Sequence, residues 1–343
     1  MNTHYVGLDT GSTSCFYCIR DNTGDIIRKK RIQTSNDRIR SCFQQMDGIV
    51  QVHLEASSLA GHIRYLLKEI VDRVVVSDPA QNELIARDPR KGDPRDAGLL
   101  AELLRNNFYQ EVWYPDDKNR WSFRQLVAHY DMFDKVLVSM KSRVHSRLIM
   151  NGVYNRHNAF GTNRKEELVE EVSYPMMSQV INQLYDTVDQ LQQHKQHAKE
   201  KMWSFAQQFD EVNRFQEVPG VGPVVASRFS AYVGDPHRFD DNKDLRSYSK
   251  MGVSSRTSDE RPLGYERLDR EGRSCLKDAS YMAFMSAVGE NRDNAIARKY
   301  RQSKQDAEDQ TNARLNTQRK ILDTLWAIWR KDEEYDPKRV TSQ

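Results

Sequence analysis

Four acidic side chains in the first third of the chain stand where carboxylates could bind a metal ion. Asp9 ends the apolar run YVGLD, Glu55 ends the run IVQVHLE, and Asp93 and Asp96 open the stretch DPRDAGLLAELL three residues apart. The apolar runs are typical of strands, and residues at i and i+3 of a helix share a face. Taken singly, an Asp after a strand is usually a turn residue, and a D-x-x-D is usually a solvated helix start.

The four carboxylates together indicate a different chemistry. Open sheets bind ligands at the carboxyl ends of their strands, and several carboxylates cannot be buried in one place unpaired. Mg²⁺ (or Mn²⁺) is the ion that prefers such oxygen ligands. Two such ions can activate a nucleophile and stabilise the leaving oxygen of a phosphodiester. The pattern therefore predicts a metal site for phosphodiester chemistry formed by Asp9, Glu55, Asp93 and Asp96.

The elements around these residues predict an α/β domain. The strand-like runs are HYVGLD, SCFYCIR, DIIRKKRIQ, IVQVHLE and RVVVSD, with helix patterns at 35–46 and in SLAGHIRYLLKEIV. Pro79 would begin a further helix at the position that proline favours. Two meandering strands followed by βαβ units are typical of a mixed sheet with helices on its faces. Cys15 and Cys18 form a C-x-x-C without a second pair, which favours strand packing over zinc.

After about residue 116 the sequence is mostly helical and strand patterns nearly vanish. Residues 119–150 and 165–206 each predict a long helix, and Pro175 would kink or begin the second one. Five apolar residues recur there at heptad spacing: Met177, Ile181, Leu184, Val188 and Leu191. Such a seam can pack within the chain or join copies as a coiled coil, which would give a homo-oligomer, a dimer or a tetramer. The final tail, DEEYDPKRVTSQ, is expected to fray.

The sequence context of the carboxylates resembles a known family. VGLDTG, LEAS, the DPA of 78–80 and KGDPRDAGLLAELL are similar to the DEDD transposases of the Piv/MooV class. This is the insertion-sequence-110 family of site-specific recombinases, whose catalytic domain is RuvC-like (ribonuclease-H-type). EVPGVGPVVASRFSAYVGD, LRSYSKMGVSSR and GRSCLKDASYMAFMSAV resemble the family's second conserved region, a C-terminal transposase domain.

The same resemblance predicts the domain organisation. A RuvC-like catalytic domain would occupy residues 1–115, a helical connector with a coiled coil 116–210, a mostly α C-terminal domain 211–332, and a tail 333–343. In the C-terminal domain, Gly220 and Gly222 of PGVGP predict a helix-hairpin-helix-like turn whose backbone amides approach a phosphate. The alternative is a plain tight turn between core helices.

The resemblance implies a DNA transposase that cleaves and rejoins strands with Mg²⁺. In the family, a serine of the second domain attacks the phosphodiester, different protomers make a composite site, and a structured non-coding (bridge-type) RNA guides target choice. The family places this serine in a Gly-x-x-Pro-x-x-x-x-Ser-Gly pattern, but Ser255 stands at the proline position here and Glu260 at the serine position. Ser258 takes the role if the loop is two residues shorter, whereas Ser254 and Ser255 suit cap or turn positions.

Two other classes of protein fit a site without that serine. One is a Mg²⁺-dependent RuvC-like endonuclease, such as a junction resolvase, in which water is the nucleophile. The other is a domesticated nucleic-acid-binding relative, against which the intact set of carboxylates argues.

A basic stretch predicts contact with nucleic acid, although the net charge of the chain is only +3. Residues 135–165 contain seven basic residues and no acidic one: Lys135, Lys141, Arg143, Arg147, Arg156, Arg164 and Lys165. Interleaved aromatic residues suit a phosphate backbone with unstacked bases, as in RNA. The alternative is a solvated helix face, but such faces normally mix both signs of charge.

Cysteine content and hydropathy bear on the compartment. The four cysteines in 343 residues lack a disulfide-framework spacing, which suits a reducing cytoplasm. No run approaches about 18 apolar residues, so no membrane span is expected. With the family resemblance, the sequence predicts a bacterial cytoplasmic protein that associates with the nucleoid when it acts.

Overall fold

The computed structural model describes residues 2–82, 92–258, 261–269, 272–289, 292–306 and 309–341. Within these ranges, the side chains at 81, 82, 93, 162, 254–258, 261–267, 306 and 341 lie outside the description. The chain divides into two compact units, Met1–Lys118 and Asn119–Gln343. No helix in the described ranges is long and apolar enough to cross a membrane.

The first unit is built on a five-stranded mixed sheet, and all five strand predictions are confirmed. The strands are β1 (Thr3–Thr10), β2 (Ser14–Arg20), β3 (Ile26–Gln33), β4 (Ile49–Glu55) and β5 (Arg73–Ser77). Their order is β3-β2-β1-β4-β5. The strands β1, β4 and β5 are parallel, whereas β2 is antiparallel to both of its neighbours. The carboxyl ends of β1, β4 and β5 therefore share one edge of the sheet.

Helices cover both faces of this sheet. They are α1 (Asn36–Phe43), α2 (Ala60–Leu67), α3 (Pro79–Asn82) and α4 (Asp93–Arg105). On one face, Tyr17, Leu54 and Phe43 belong to a core that β-strand residues share with α1 and α2. On the other face, α4 packs on β1, β2 and β4. Because side chains alternate along a strand, the residues of β1 that face α4 are Gly7 and, two positions later, Asp9.

The second unit is mostly helical. Its long helices are α5 (Lys118–Met150), α6 (Thr162–Glu170) and α7 (Pro175–Ala206). Then follow α8 (Asp210–Phe215), α9 (Pro223–Val233), a 3-10 turn (Pro236–Arg238) and α10 (Asn242–Tyr248). The remaining elements are β6 (Val253–Ser258), β7 (Arg261–Leu268), α11 (Ser274–Ala287), α12 (Ala295–Asp306), α13 (Gln310–Lys331) and α14 (Pro337–Thr341).

The predicted helix over 165–206 is two helices. Residues 171–174 separate α6 from α7, and Pro175 begins α7 rather than kinking a continuous helix. Proline is well placed at the first turn, because the amide it lacks would have no partner within the helix.

The heptad seam of α7 packs against other helices of its own chain, with Met177, Leu184 and Leu191 half-buried. Ile181 and Val188 are fully buried, and their cluster includes Leu137 and Val144 of α5 and Leu168 of α6. Internal packing, one of the two alternatives for this pattern, thus accounts for the seam. A homo-oligomer stays a prediction, without support from these five residues.

The C-terminal part contains a strand pair that the sequence did not predict, and the expectation of a frayed tail is wrong. Val253–Ser258 and Arg261–Leu268 pair as the antiparallel strands β6 and β7, although their polar sequence has no alternating pattern that predicts a strand. The tail that was expected to fray contains α14, and Val340 is fully buried in the main core of the unit. A single apolar side chain is too little periodicity to predict that docking from sequence.

A buried polar network joins α5 to α9. The Arg228 Nε donates a hydrogen bond of 2.7 Å to Asp131, and the Tyr232 hydroxyl donates one of 2.8 Å to the same carboxylate. The guanidinium also lies 3.3 Å from Asp134, which pairs with Lys195 of α7. Since Arg228 and Asp131 are only 5% and 6% exposed, each charge depends on the other for compensation.

Candidate active site

The ends of β1 and β4 bring Asp9 and Glu55 next to each other. The two strands are parallel, and Gly7 lies opposite His53. Asp9 and Glu55 each lie two residues further along, so the same register places them at neighbouring positions of the carboxyl edge. Both residues are half-buried. Beyond them, Thr10 and Ser57 form a side-chain hydrogen bond of 3.2 Å that joins the two chain segments leaving the edge.

The close packing of α4 on β1 depends on Gly7. A Cβ atom at this position would lie 2.0 Å from the carbonyl oxygen of Ala97 and 2.5 Å from the amide nitrogen of Ala101. Real Cβ atoms do not come so near to backbone atoms, so only glycine allows the helix to lie on the strand at this point.

Contacts further along α4 establish its direction. Arg20, which pairs with the beginning of β1, lies 3.4 Å from the carboxylate of Glu102 near the end of the helix. Ala97, nearer the start of the helix, lies at the level of Gly7. The helix therefore runs antiparallel to β1, and its N-terminus points to the edge that carries Asp9.

Positions 93 and 96 continue the row of α4 residues that packs on the sheet. Ala97, Leu100 and Ala101 are buried against the sheet. Positions 93 and 96 precede 97 and 100 by one helical turn, so they extend the same stripe. Asp96 is exposed, and the side chain of Asp93 lies outside the described part of the structure.

The structure thus brings the four predicted positions to one edge of the sheet. Among the described side chains, no group of three or more His, Cys, Asp or Glu residues is placed to hold a metal ion, but Asp93 is outside that set. The metal site stays a prediction.

The buried His53 of β4, to which the sequence motifs assign no role, joins β4 to α4 and β5 through hydrogen bonds. The His53 Nδ1 lies 2.8 Å from the Leu100 carbonyl oxygen of α4, and its Nε2 lies 2.8 Å from the Ser77 Oγ at the end of β5. A carbonyl can only accept, so Nδ1 carries the proton and Nε2 accepts from the serine. Burial lowers the pKa of His53 to about 4, which keeps the ring neutral. The only signal in the sequence is a histidine within an apolar strand, two residues before Glu55.

Comparison with known proteins shows the family of this chain. Residues 6–151 match the DEDD model of the IS110 type, described as a transposase, and residues 212–301 match the model described as "Transposase IS116/IS110/IS902 family". Together the two models match more than half of the chain, in the order that the sequence motifs predicted. The chain belongs to the IS110 family of transposases.

Two curated relatives support the same family. An uncharacterized 44.8 kDa protein of insertion element IS116 from Streptomyces clavuligerus is 29% identical over 137 residues, 39% of this chain and 33% of the relative. The protein named "Putative transposase y4qE" from Sinorhizobium fredii is 23% identical over 267 residues, 75% of this chain and 65% of the relative. The chain thus spans about a third and just under two thirds of the lengths of these relatives.

The candidate nucleophile of this IS110-family chain lies in the β6–β7 hairpin. Ser258 is the last residue of β6 and pairs with Arg261, but its side chain is outside the described part of the structure. Ser254 and Ser255 also lie in β6, so their prediction as cap or turn residues is wrong. Glu260, at the family's serine position, lies outside the described residues.

The two glycines of the PGVGP turn, Gly220 and Gly222, have different surroundings. Gly220 has a φ of +88°, and a Cβ there would lie 2.1 Å from the Ala283 carbonyl oxygen of α11. Gly222 precedes α9, and no atom lies within 4 Å of the place of its Cβ. The packing on α11 explains Gly220 and favours a tight turn there, whereas only Gly222 has open space beside it. Phosphate binding by this turn stays a prediction.

The predicted basic surface separates into two groups. Lys135, Arg143 and Arg147 are exposed on α5. Arg164 and Lys165 instead form ion pairs of 2.7 Å with Glu167 and 2.5 Å with Asp189. The acid-free stretch of sequence therefore meets acidic residues of α6 and α7.

Two further basic residues contact groups within the same stretch. The Lys141 Nζ lies 4.8 Å from the centroid of the Phe160 ring, and the Arg156 Nε donates to the Tyr154 carbonyl oxygen. Tyr154 itself is 75% exposed.

Proposed function

We propose that this protein is a metal-dependent DNA transposase or site-specific recombinase with its carboxylate site at the edge of the first unit's sheet. One observation carries the proposal: β1, β4 and the N-terminus of α4, the three elements that bear Asp9, Glu55, Asp93 and Asp96, meet at one edge. Membership of a transposase family supports the same conclusion.

The donor set suits Mg²⁺ (or Mn²⁺). All four residues offer carboxylate oxygens, the ligands that these ions prefer, and convergent carboxylates need a cation to offset their repulsion. Bound ions would supply positive charge to the scissile phosphate and its leaving oxygen. The chain's own contribution is position: Gly7 lets α4 approach β1, and His53 holds the helix to β4 and β5.

Strand cleavage and metal-induced stabilisation test this proposal together. We expect Mg²⁺ to raise the melting temperature of the first unit and to support cleavage of labelled DNA. Asp9→Asn should melt higher than wild type without the ion, because one repelling charge is removed, and should not cleave. Asp47→Asn is the matched control, because this exposed residue precedes β4 at the opposite edge of the sheet. Cleavage by Asp9→Asn at the wild-type rate would refute the assignment.

The proposed nucleophile is Ser258: its hydroxyl would lose a proton and attack phosphorus, the P–O bond to one deoxyribose would break, and that sugar would leave as a free hydroxyl while the other DNA end stays on the serine as a phosphoserine. Its hydroxyl can attack phosphorus, whereas the carboxylate of Glu260 would repel the phosphate. Denaturing gel electrophoresis of labelled DNA after incubation with Mg²⁺ should show a protein–DNA band. Ser258→Ala should abolish the band and Ser254→Ala, in the same strand, should retain it. A band that survives Ser258→Ala would place the nucleophile elsewhere.

A specific observation favours a second candidate function. The family's Ser-Gly is missing, and Glu260 stands at its place. A Mg²⁺-dependent RuvC-like endonuclease needs no serine, since water attacks the phosphate. Nicked DNA without a shifted band from wild type would favour that function. DNA binding with neither product would indicate a domesticated nucleic-acid-binding relative.

The exposed basic residues of α5 support binding of a guide RNA. Replacing Arg143 and Arg147 together by Gln should flatten the salt dependence of RNA affinity, since each phosphate contact contributes about 0.7–0.9 to the slope. The control replaces Arg164 and Lys165, whose charges are already paired within the chain. Equal slopes for the two double variants in a filter-binding titration with a structured RNA would contradict the assignment. Action on the nucleoid in the bacterial cytoplasm, as a dimer or tetramer, belongs to the same proposal.

A further inference from the structure

We propose that Arg31 binds a backbone phosphate of the DNA strand beside the carboxylate site, and that Lys29 binds the next phosphate along that strand. The inference rests on the proposed function, and it names residues for which no motif of the sequence assigned a role. The carboxylates and any bound ions would act on one phosphate, so the neighbouring phosphates need a separate cationic surface.

The sheet register places Arg31 in the row of Asp9. Phe16 of β2 lies opposite Asp9, and Arg31 of β3 lies opposite Phe16. Directly opposed residues of antiparallel strands project to the same face. Two strand spacings separate the ends of this row, so the backbones of Asp9 and Arg31 are roughly 10 Å apart.

A second row confirms which face this is. Gly7, Cys18 and Lys29 lie opposite one another, one pleat before the row of Asp9. Gly7 packs on α4, and a Cβ at Gly98 of α4 would lie 3.5 Å from the Lys29 Nζ. Lys29 and Arg31 therefore line the α4 face, on which the predicted metal ligand Asp9 also lies.

The side chain of Arg31 is held in place by its neighbours. Its Nε donates a hydrogen bond of 3.0 Å to the Ser14 Oγ, and its guanidinium carbon lies 5.6 Å from the centroid of the Phe16 ring. A guanidinium held over an aromatic ring loses less freedom on binding, and its remaining nitrogens match the oxygens of a phosphate. Neither Arg31 nor Lys29 forms an ion pair with any residue in the described ranges.

Lys29 and Arg31 lie on the edge strand β3, where a DNA strand can approach them. The strand is at the end of the sheet, and within the described residues β2 is its only partner. Lys29 and Arg31 are both exposed, and residues two apart on a strand are about 6.6–6.8 Å apart, which suits successive phosphates of an extended strand.

An alternative reading of these charges has to be separated experimentally. Basic residues on an edge strand can simply prevent pairing with another sheet, and then their face does not matter. Arg28 and Lys30 provide the comparison, because they lie opposite Ile19 and Tyr17 and so belong to the other face. They carry the same charge on the same strand.

The test compares two double variants of the full chain. Fluorescence anisotropy would follow a labelled DNA duplex, without divalent ions, over a range of salt concentrations. Replacing Lys29 and Arg31 by Gln should lower the slope of log affinity against log salt by about 2, because two phosphate contacts contribute about 0.9 each. Replacing Arg28 and Lys30 by Gln should leave the slope unchanged. Equal changes in both variants, or no change in the first, would overturn the proposal.

Two further measurements separate failure of this inference from failure of the proposed function. The stabilisation of the Arg31→Gln variant by Mg²⁺ should equal that of wild type, since the carboxylates are intact. If wild type never cleaves DNA but the Lys29 and Arg31 variant loses slope, the proposed function fails and the phosphate site stands. If wild type cleaves and that variant keeps its KM and slope, the phosphate site alone is wrong. Loss of slope with an RNA probe only would assign the surface to RNA and overturn the proposal for DNA.

Discussion

The neutral, buried His53 should make the first unit lose stability at mildly acid pH. Its pKa falls from an ordinary value of 6.5 to about 4, because burial disfavours the charged ring. The unfolded chain therefore takes up a proton on acidification before the folded chain does. The contribution to stability is fully present above about pH 6.5 and is lost progressively as the pH falls toward about 4.

The size of the effect follows from these two values. Between about pH 7 and about pH 5, the unfolded state gains about 2 kcal/mol relative to the folded state from this one residue. The full shift corresponds to about 3 kcal/mol, reached near the folded pKa. Such a loss is a large fraction of the stability of an ordinary domain. In the folded protein the ring becomes protonated only near pH 4, and its Nε2 then no longer accepts the hydrogen bond from Ser77.

Urea titrations at the two pH values, read by pulsed hydrogen exchange and mass spectrometry, would measure this effect. Peptides from β1 and β4 report the first unit alone. In His53→Gln, whose amide can still donate and accept, we expect the pH-dependent loss to shrink by about 2 kcal/mol. His62→Gln is the control, because this exposed histidine of α2 bonds only to the Asn36 side chain among the described contacts. An unchanged pH dependence in His53→Gln would refute the reasoning.

Further substitutions test the packing of α4 on β1 in the first unit and two buried contacts in the second unit. Gly7→Ala should lower the free energy of unfolding by at least about 2 kcal/mol, because its Cβ meets backbone atoms of α4. It should also abolish the stabilisation by Mg²⁺, whereas Gly98→Ala should be tolerated. Thermal melts with and without the ion would show both results. Arg228→Ala should destabilise the second unit by about 3–5 kcal/mol in urea, because a buried carboxylate loses its partner. Ile181→Ala should lower the free energy of unfolding by about 2–5 kcal/mol, because it leaves a cavity in the core. The molar mass in light scattering should stay unchanged, since the seam packs within the chain. A fall in mass would show that the seam also joins copies.

Much of the first unit could be predicted because its signals are local. Short runs rich in β-branched and aromatic residues predicted the strands, and carboxylates at the ends of two of these runs predicted Asp9 and Glu55 as site residues. The acidic residues and the apolar pattern that follows them predicted the helix that bears Asp93 and Asp96. Each of these features depends on residues close together in the chain, which is what periodicity reads.

Features that depend on distant residues could not be predicted. His53 looks like one polar residue in a strand until Leu100 and Ser77 are placed around it. Lys165 belongs to a stretch without acids, yet Asp189 neutralises it from another helix. Charge patterning along the sequence counts neighbours in the chain, whereas electrostatic energy depends on neighbours in space.

Gly7, which has no side chain to take part in chemistry, does most to bring the positions of the four predicted carboxylates to one edge of the sheet. If position 7 carried any Cβ, α4 would have to move away from β1, and with it the positions of Asp93 and Asp96. Asp9 and Glu55 would keep their register, because that depends only on pairing between β1 and β4. The strand pair alone supplies two carboxylates, and the close helix supplies the other two. The geometry of the site therefore depends on a glycine that a search for chemical groups would pass over.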